Sequence, residues 1–304
     1  MLPTVRTSIA VNSTEQEGSI VERFAKNATA QDVLQRLTGN SNSSFKPYSE
    51  MLLREGIIQS LNDLIPVINQ IEPQEKRVDA VRHALKEHYR SAVMQRIANP
   101  EVQLLQQRYP DQPWDNNPAT AYNQARHQEL MRVIKGLNSA DRGNIAEAWY
   151  EQVYSQGRGS THVSIPQDKM AEQGVAISQD RFADEVFGNT IREQKTIAGS
   201  LSQSDARNEL AQFNDYIQVV SNPGGSQITK NGNTYTVQRL MYSFIDPKGV
   251  KANAAWMYDQ ILDHPNISFE IFNAQGERKI INQANKDELL EPALSNWLRL
   301  PAQK

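Results

Sequence analysis

Hydrophobic residues in the first part of the chain recur every three or four positions. This spacing runs over residues 49–71 and again over residues 78–97, and it predicts two antiparallel amphipathic helices. Residues 109–118 concentrate Pro, Asp and Asn, a composition typical of a loop or linker. We therefore predict a helical N-terminal region over residues 1–115, with delivery or partner binding as its candidate roles, and a second domain over residues 116–304.

Beyond the linker the helical spacing gives way to a mixture of helices and strands. Helices are predicted over residues 119–137 and over the segment that carries Ile145 and Tyr154. Strands are predicted at residues 161–165, 175–178, 181–187, 190–197, 216–220, 234–245, 267–272 and 278–282. Further helices are predicted at residues 204–216, 250–263 and 287–299. The expected fold class is therefore α/β, with a mixed sheet flanked by helices.

The composition excludes several classes of protein. The chain has no cysteine, which rules out disulfides and thiolate metal sites. Its longest apolar stretch, over residues 56–71, is interrupted by Gln59, Asn62 and Asp63, so no membrane span is predicted. No signal peptide is predicted either, and the expected location is the cytoplasm or a target cell reached through a specialised secretion system. Because the net charge is −3, binding to phosphates requires a local basic surface.

Residues 181–197 have the pattern of a β-hairpin around a Gly188-Asn189 turn. Side chains alternate between the two faces of the hairpin, so one face carries Glu185 opposite Arg192 as a structural ion pair. The other face carries two acids directly opposite each other, an arrangement that is destabilising without a compensating charge. The predicted pairs are Phe187 with Thr190, Val186 with Ile191, Glu185 with Arg192, Asp184 with Glu193, and Phe182 with Lys195.

A divalent cation is the simplest compensation for the opposed Asp184 and Glu193. Carboxylate oxygens are the ligands that Mg²⁺ uses, and the ion reverses the sign of the local electrostatics. Lys195 is expected on the same face, where an ammonium group can orient water and offset charge on a phosphate. This pattern is typical of phosphodiester hydrolysis. The alternative is a solvated strand face on which Lys195 relieves the two acids by diagonal pairing.

The sequence of an Asp, a hairpin turn and Glu-x-Lys resembles the motif of the PD-(D/E)XK, or restriction-endonuclease-like, nuclease superfamily. Ala183 stands before the Asp where the motif has Pro, and Gln194 is polar where an apolar residue is usual. The resemblance covers about residues 140–220 and implies a restriction-endonuclease-like sheet with Mg²⁺, or Mn²⁺ in its place, as the cofactor. It makes Asp184 and Glu193 metal ligands, with the backbone carbonyl of Gln194 as a further ligand, and makes Lys195 catalytic.

The same resemblance assigns roles to residues outside the hairpin. The segment from Arg142 to Tyr150 resembles a helix that carries a glutamate into the metal site, so Glu147 is the candidate third carboxylate. Glu151, one turn later, is nearly as well placed. On the helix after Glu-x-Lys, Gln212 is a candidate contact to substrate or metal, with an ordinary surface position as the alternative.

Three residues near the hairpin have two interpretations each. Arg181 is a candidate substrate contact through a phosphate, or a solvated strand end. Asp180 lies an even number of positions before Asp184, so it falls on the same strand face and replaces Asp184 if the register differs. Its alternative interpretation is a turn residue. His162 is a candidate for proton transfer, or an ordinary strand residue.

The residues Arg-Gly-x-x-x-Glu ahead of the Asp and Glu-x-Lys also resemble nuclease domains of bacterial polymorphic toxins. This resemblance implies a toxin effector that cleaves nucleic acid, with DNA favoured over RNA, and a cognate immunity protein as its partner. Two other functions stay open. One is a non-catalytic interaction or scaffold protein, and the other is a nuclease of DNA repair or phage DNA processing.

Overall fold

The computed structural model describes residues 46–71, 78–110, 114–135, 137, 139–155, 157, 159–201 and 207–298. The chain divides into two compact units, and the division falls between Gln95 and Arg96. The sequence pattern places this boundary later, at about residue 115. Residues 1–45 of the predicted N-terminal region lie outside the described residues.

The first unit is helical where the structure describes it. Its described elements are α1 (Lys46–Arg54), a 3₁₀ turn (Leu61–Leu64), α2 (Ile65–Asn69) and most of α3 (Val78–Ala98). The single helix predicted over residues 49–71 is therefore broken, which corrects the expectation. Gly56 adopts a left-handed φ of 65° that ends α1, and the Ser60 backbone N–H donates to Asp63 to start the next turn. Leu52, Leu64 and Ile68 are buried all the same.

The second unit begins with a series of helices and continues into sheet. Its helices before the sheet are α4 (Val102–Arg108), α5 (Pro118–Ile134) and α6 (Ser139–Tyr150), and α6 continues into a π-helical turn (Glu151–Ser155). Asn117 caps α5 by accepting hydrogen bonds from the N–H groups of Ala119 and Thr120, and Pro118 occupies the first turn. The helices predicted for this region are confirmed, with shifted ends.

Six strands form the main sheet, in the order β1-β2-β3-β6-β7-β8. The first three strands run antiparallel, β3, β6 and β7 are parallel, and β8 returns antiparallel. The strands are β1 (Ser160–Ile165), β2 (Arg181–Phe187), β3 (Thr190–Lys195), β6 (Arg239–Phe244), β7 (Ile267–Phe272) and β8 (Arg278–Ile281). A separate two-stranded sheet consists of β4 (Ser226–Lys230) and β5 (Asn233–Val237).

Helices make the crossovers that parallel strands require. α8 (Arg207–Val220) lies on the connection from β3 to β6, and α9 (Pro247–Asp263) joins β6 to β7. Two other helices lie outside these crossovers: α7 (Gln167–Glu172) follows β1, and α10 (Pro292–Leu298) follows a 3₁₀ turn (Lys286–Leu289). The predicted mixed α/β class is confirmed. None of the described helices is long and apolar enough to cross a bilayer.

Two predicted strands are absent from the described residues. Residues 216–220 form the end of α8, because Phe213, Tyr216, Ile217 and Val220 share the inward face of a helix and are all buried. Residues 175–178 form a loop, and the Ser178 N–H donates to Asp215 rather than to a neighbouring strand. The long strand predicted over residues 234–245 is two strands, β5 and β6.

Aromatic side chains fill the space between α8, α9 and the centre of the sheet. The ring of Phe213 lies 5.2 Å from that of Tyr242, 4.8 Å from that of Trp256 and 6.3 Å from that of Phe269. Each fully buried aromatic side chain stabilises the fold by roughly 1.5–3 kcal/mol. This packing fixes α8 against β6, β7 and α9, and so fixes what its polar face can reach.

Candidate active site

The β2–β3 hairpin has the predicted turn and the predicted first three pairs. Phe187 pairs with Thr190, Val186 with Ile191, and Glu185 with Arg192. Gly188 adopts the positive φ of 54° that the tight turn requires. The pairs predicted beyond this point, Asp184 with Glu193 and Phe182 with Lys195, are not part of the ladder. Instead, the Gln194 backbone N–H donates to the Asp184 carboxylate at 2.6 Å.

The opposite-charge pair of the hairpin is a buried structural ion pair. Glu185 and Arg192 are 1% and 8% exposed, and the guanidinium donates to the carboxylate. The Arg192 guanidinium also lies 4.3 Å from the ring centre of Phe187 and 4.8 Å from that of Tyr150. The structural role predicted for this pair agrees with these contacts.

Three carboxyl groups meet at the end of the hairpin: Asp184 from β2, Glu193 from β3 and Glu147 from α6. Burial, followed by the nearby Glu193 and a hydrogen bond with Glu147, raises the pKa of Asp184 well above its ordinary value. Burial also raises the pKa of Glu193, although Lys195 and Tyr216 oppose the shift. Ionised carboxylates are acceptors only, so these neighbouring acids repel one another unless a positive charge or a proton lies among them. The cluster therefore favours either a proton or a cation among its oxygens.

Lys195 satisfies all three of its ammonium hydrogens within the site. Its Nζ lies 2.8 Å from Glu193 Oε1, 2.8 Å from Glu209 Oε2 and 2.7 Å from Gln212 Oε1. Burial lowers the pKa of Lys195, but Tyr242, Glu193 and Glu209 outweigh it and raise that pKa well above its ordinary value. The side chain therefore stays positively charged at neutral pH.

Helix α8 contributes a polar face to the same site. Glu209, Gln212 and Tyr216 lie three and four residues apart, the spacing of one helix face. Gln212 Nε2 donates to the Tyr216 hydroxyl at 3.1 Å, and this hydroxyl lies 3.0 Å from Glu193 Oε2 and 2.9 Å from the Phe182 carbonyl. Burial and the nearby acids raise the pKa of Tyr216 well above its ordinary value, so the phenol remains a donor.

Sequence reasoning names Gln212 for this site but misses Glu209 and Tyr216. The signal that could have found them is their shared helix face with Gln212. The predicted helix over residues 204–216 contains all three residues, but the sequence does not show which strands this face covers.

The structure also places the residues that had alternatives. Glu147 lies close enough to Asp184 to help raise the pKa of that acid, whereas Glu151 is exposed in the π-helical turn. Asp180 accepts a hydrogen bond from the Gln167 N–H at 2.8 Å at the start of α7. Arg181 is 7% exposed, and it donates to Asp215 at 2.6 Å rather than presenting its guanidinium to a phosphate.

His162 lies at the margin of the carboxylate cluster in an uncommon backbone conformation. Its φ is 50°, and it interrupts β1 between the pairs Thr161–Glu185 and Val163–Ala183, across from Asp184. Its Nδ1 lies 3.8 Å from Glu147 Oε2, and its side chain is 65% exposed. The imidazole is therefore accessible from solvent beside the acids.

The donor set of this site can be compared with what a cation needs. In the part of the chain that the structure describes, no group of three or more His, Cys, Asp or Glu side chains is arranged to hold a metal ion. The acids are held instead by Lys195, by Tyr216 and by the Gln194 N–H. Their chemistry, several carboxylate oxygens without sulfur, is nevertheless the kind that Mg²⁺ and Mn²⁺ prefer.

Comparisons with known proteins add no relative. No family model, no curated protein and no solved structure matches the chain. The fold and the site therefore define a mixed α/β protein with a partly buried cluster of acids and one lysine.

Proposed function

We propose that this chain is a metal-dependent endonuclease that hydrolyses phosphodiester bonds in nucleic acid. One observation carries the proposal: Asp184, Glu193 and Lys195, from two adjacent strands, converge with Glu147 into a single, partly buried cluster. Clustered acids with raised pKa values oppose folding, and such groups concentrate at functional sites.

The order of elements gives further support. Glu147 lies on the helix that precedes β1, the acid pair and Lys195 lie on the hairpin, and Gln212 lies on the helix that follows. This is the order that the resemblance to PD-(D/E)XK nucleases implies. The resemblance to toxin nuclease domains makes DNA the favoured substrate and a bacterial toxin effector, paired with an immunity protein, the proposed role.

The residues that would hold the metal are Asp184, Glu193 and Glu147, with the Gln194 carbonyl as the further ligand. A bound Mg²⁺ or Mn²⁺ supplies a Lewis acid and a water whose pKa is lowered toward neutrality. A cation held by these oxygens would offset the cost of burial and the mutual repulsion that raise the pKa of Asp184.

The chain's own residues then position a charge beside the phosphate. Lys195 keeps its ammonium ionised, and this charge offsets the negative charge that builds on the phosphate oxygens during hydrolysis. Glu209 and Gln212 hold the ammonium in place from α8. Tyr216 donates to Glu193 and fixes the orientation of that carboxylate.

Cleavage by the purified chain tests this proposal. Supercoiled plasmid and total RNA are incubated with the protein in Mg²⁺, in Mn²⁺ and in EDTA. We expect cleavage only with metal, and at least a ~100-fold loss of rate in Asp184→Asn and Lys195→Met, because both act on the transition state. Asp263→Asn is the matched control, since this acid is exposed at the end of α9. Cleavage that persists in EDTA, or that survives Asp184→Asn, contradicts the proposal.

A further inference from the structure

One exposed aromatic side chain lies beside the carboxylate cluster. Phe182 is 62% exposed, and among the residues that the structure describes it is the one Phe, Tyr or Trp in the exposed class. The other large exposed hydrophobic residues are aliphatic and include Leu262. Isolated exposed hydrophobic residues are common on protein surfaces, so the position of Phe182 carries the argument rather than its exposure alone.

The backbone holds Phe182 in a fixed relation to the site. It lies two residues before Asp184 on β2, so alternation directs both side chains to the same face, at Cα positions about 6.6 Å apart. Its carbonyl lies 2.9 Å from the Tyr216 hydroxyl, which also contacts Glu193. Its cross-strand partner on β1 is Ser164, which has a small side chain, and the Phe182 side chain is largely exposed.

An uncovered aromatic face next to a phosphate-cleaving site matches the chemistry of a nucleobase. Bases stack on aromatic rings without sequence preference, and each such contact contributes substantially to the binding of single strands. A base inside a duplex is already stacked and paired, so it cannot reach a ring on the protein surface without leaving the helix. The net charge of −3 also leaves little long-range attraction for phosphates.

From this arrangement we infer that Phe182 is a base-stacking residue and that the substrate is single-stranded nucleic acid. The inference rests on the proposed nuclease function, because it takes the cluster around Asp184 as the place where the phosphate binds. The stacked base belongs to a nucleotide adjacent to the phosphate that is cleaved. A duplex is attacked only where its strands separate.

Binding of labelled DNA to the full chain tests the inference apart from catalysis. Fluorescence anisotropy is measured in Ca²⁺ with a mixed-sequence strand and with the same strand annealed to its complement. We expect the single strand to bind at least about tenfold more tightly than the duplex, and Phe182→Ala to remove most of that difference. Phe182→Trp keeps the preference because it keeps an aromatic face. Leu262→Ala, an exposed apolar residue on α9, leaves it unchanged.

The outcomes separate this inference from the nuclease proposal. Equal affinity for strand and duplex, or a preference that survives Phe182→Ala, overturns the stacking role even if the protein cleaves DNA. Absence of binding to either form overturns it as well. A Phe182-dependent preference for the single strand in a protein that cleaves nothing in Mg²⁺ upholds stacking and refutes the nuclease. Thermal melts of each variant confirm that it is folded.

Discussion

The ion pair between Arg181 and Asp215 is the buried contact whose loss we expect to destabilise the fold most clearly. The guanidinium lies 2.6 Å from Asp215 Oδ2, and both side chains are 8% exposed. Asp215 also accepts hydrogen bonds from the Ser178 N–H at 2.8 Å and the Ser178 hydroxyl at 2.6 Å. Replacing Asp215 by Ala therefore leaves a buried positive charge and the two Ser178 donors without their acceptor.

The size of the effect follows from this burial. Removing one partner of a buried ion pair lowers the free energy of unfolding by about 3–5 kcal/mol. For a unit of the size of residues 96–304, each kcal/mol corresponds to a fall of about 2–4 °C in Tm, so Asp215→Ala is expected to melt roughly 6–20 °C lower.

Urea unfolding followed by tryptophan fluorescence measures this change. Arg181→Met and the double variant complete a thermodynamic cycle, and the double variant is expected to recover part of the loss because no isolated charge remains buried. A change below about 0.5 kcal/mol in Asp215→Ala would refute the structural role. Unchanged stability of Arg181→Met, together with a raised KM for nucleic acid, would show that Arg181 contacts substrate.

Three further changes test the site and its surroundings. The pKa of Asp184 is raised on folding, so the ionised form of this residue opposes folding. Urea unfolding should therefore show that the free energy of unfolding of the wild type falls as pH rises from about 4 through that raised pKa. Asp184→Asn should be more stable than the wild type at neutral pH, and its stability should vary less with pH. His162 has a left-handed φ of 50°, a conformation that glycine adopts easily and a β-branched residue does not. Thermal melts should therefore show a free energy of unfolding for His162→Gly within about 1 kcal/mol of the wild type. For His162→Val this free energy should be lower by about 1–2 kcal/mol. Glu209 helps raise the pKa of Lys195, so Glu209→Gln should shift the alkaline loss of cleavage to lower pH, and an unchanged pH profile would argue against that contact.

The hairpin could be predicted from sequence because its signals are local. Period-two alternation and the Gly188-Asn189 turn fix which residues of β2 and β3 oppose each other, and the first three pairs agree. The pairing beyond Glu185 could not be predicted. There the Asp184 carboxylate takes the place of a backbone acceptor for Gln194, and this competition depends on burial and on neighbouring acids rather than on period.

The rest of the site depends on contacts that are distant in sequence. An amphipathic pattern shows which face of α8 is apolar, but it does not show which strands that face covers. The sequence alone therefore does not place Glu209 and Tyr216 at the site. Arg181 has the same difficulty, because its partner Asp215 lies 34 residues later. The break after Gly56 shows a further limit, since hydrophobic spacing continues through a turn that a left-handed glycine imposes.

Calorimetric titration of Mn²⁺ into the full chain tests most directly whether the acid cluster is a cation site. Wild-type protein and Asp263→Asn should both bind Mn²⁺ saturably, and EDTA should remove the bound metal. Binding should release protons from the carboxyl groups. Asp184→Asn and Glu193→Gln should lose it. A wild-type protein that binds no Mn²⁺, or an Asp184→Asn variant that binds it as tightly as wild type, would contradict the account.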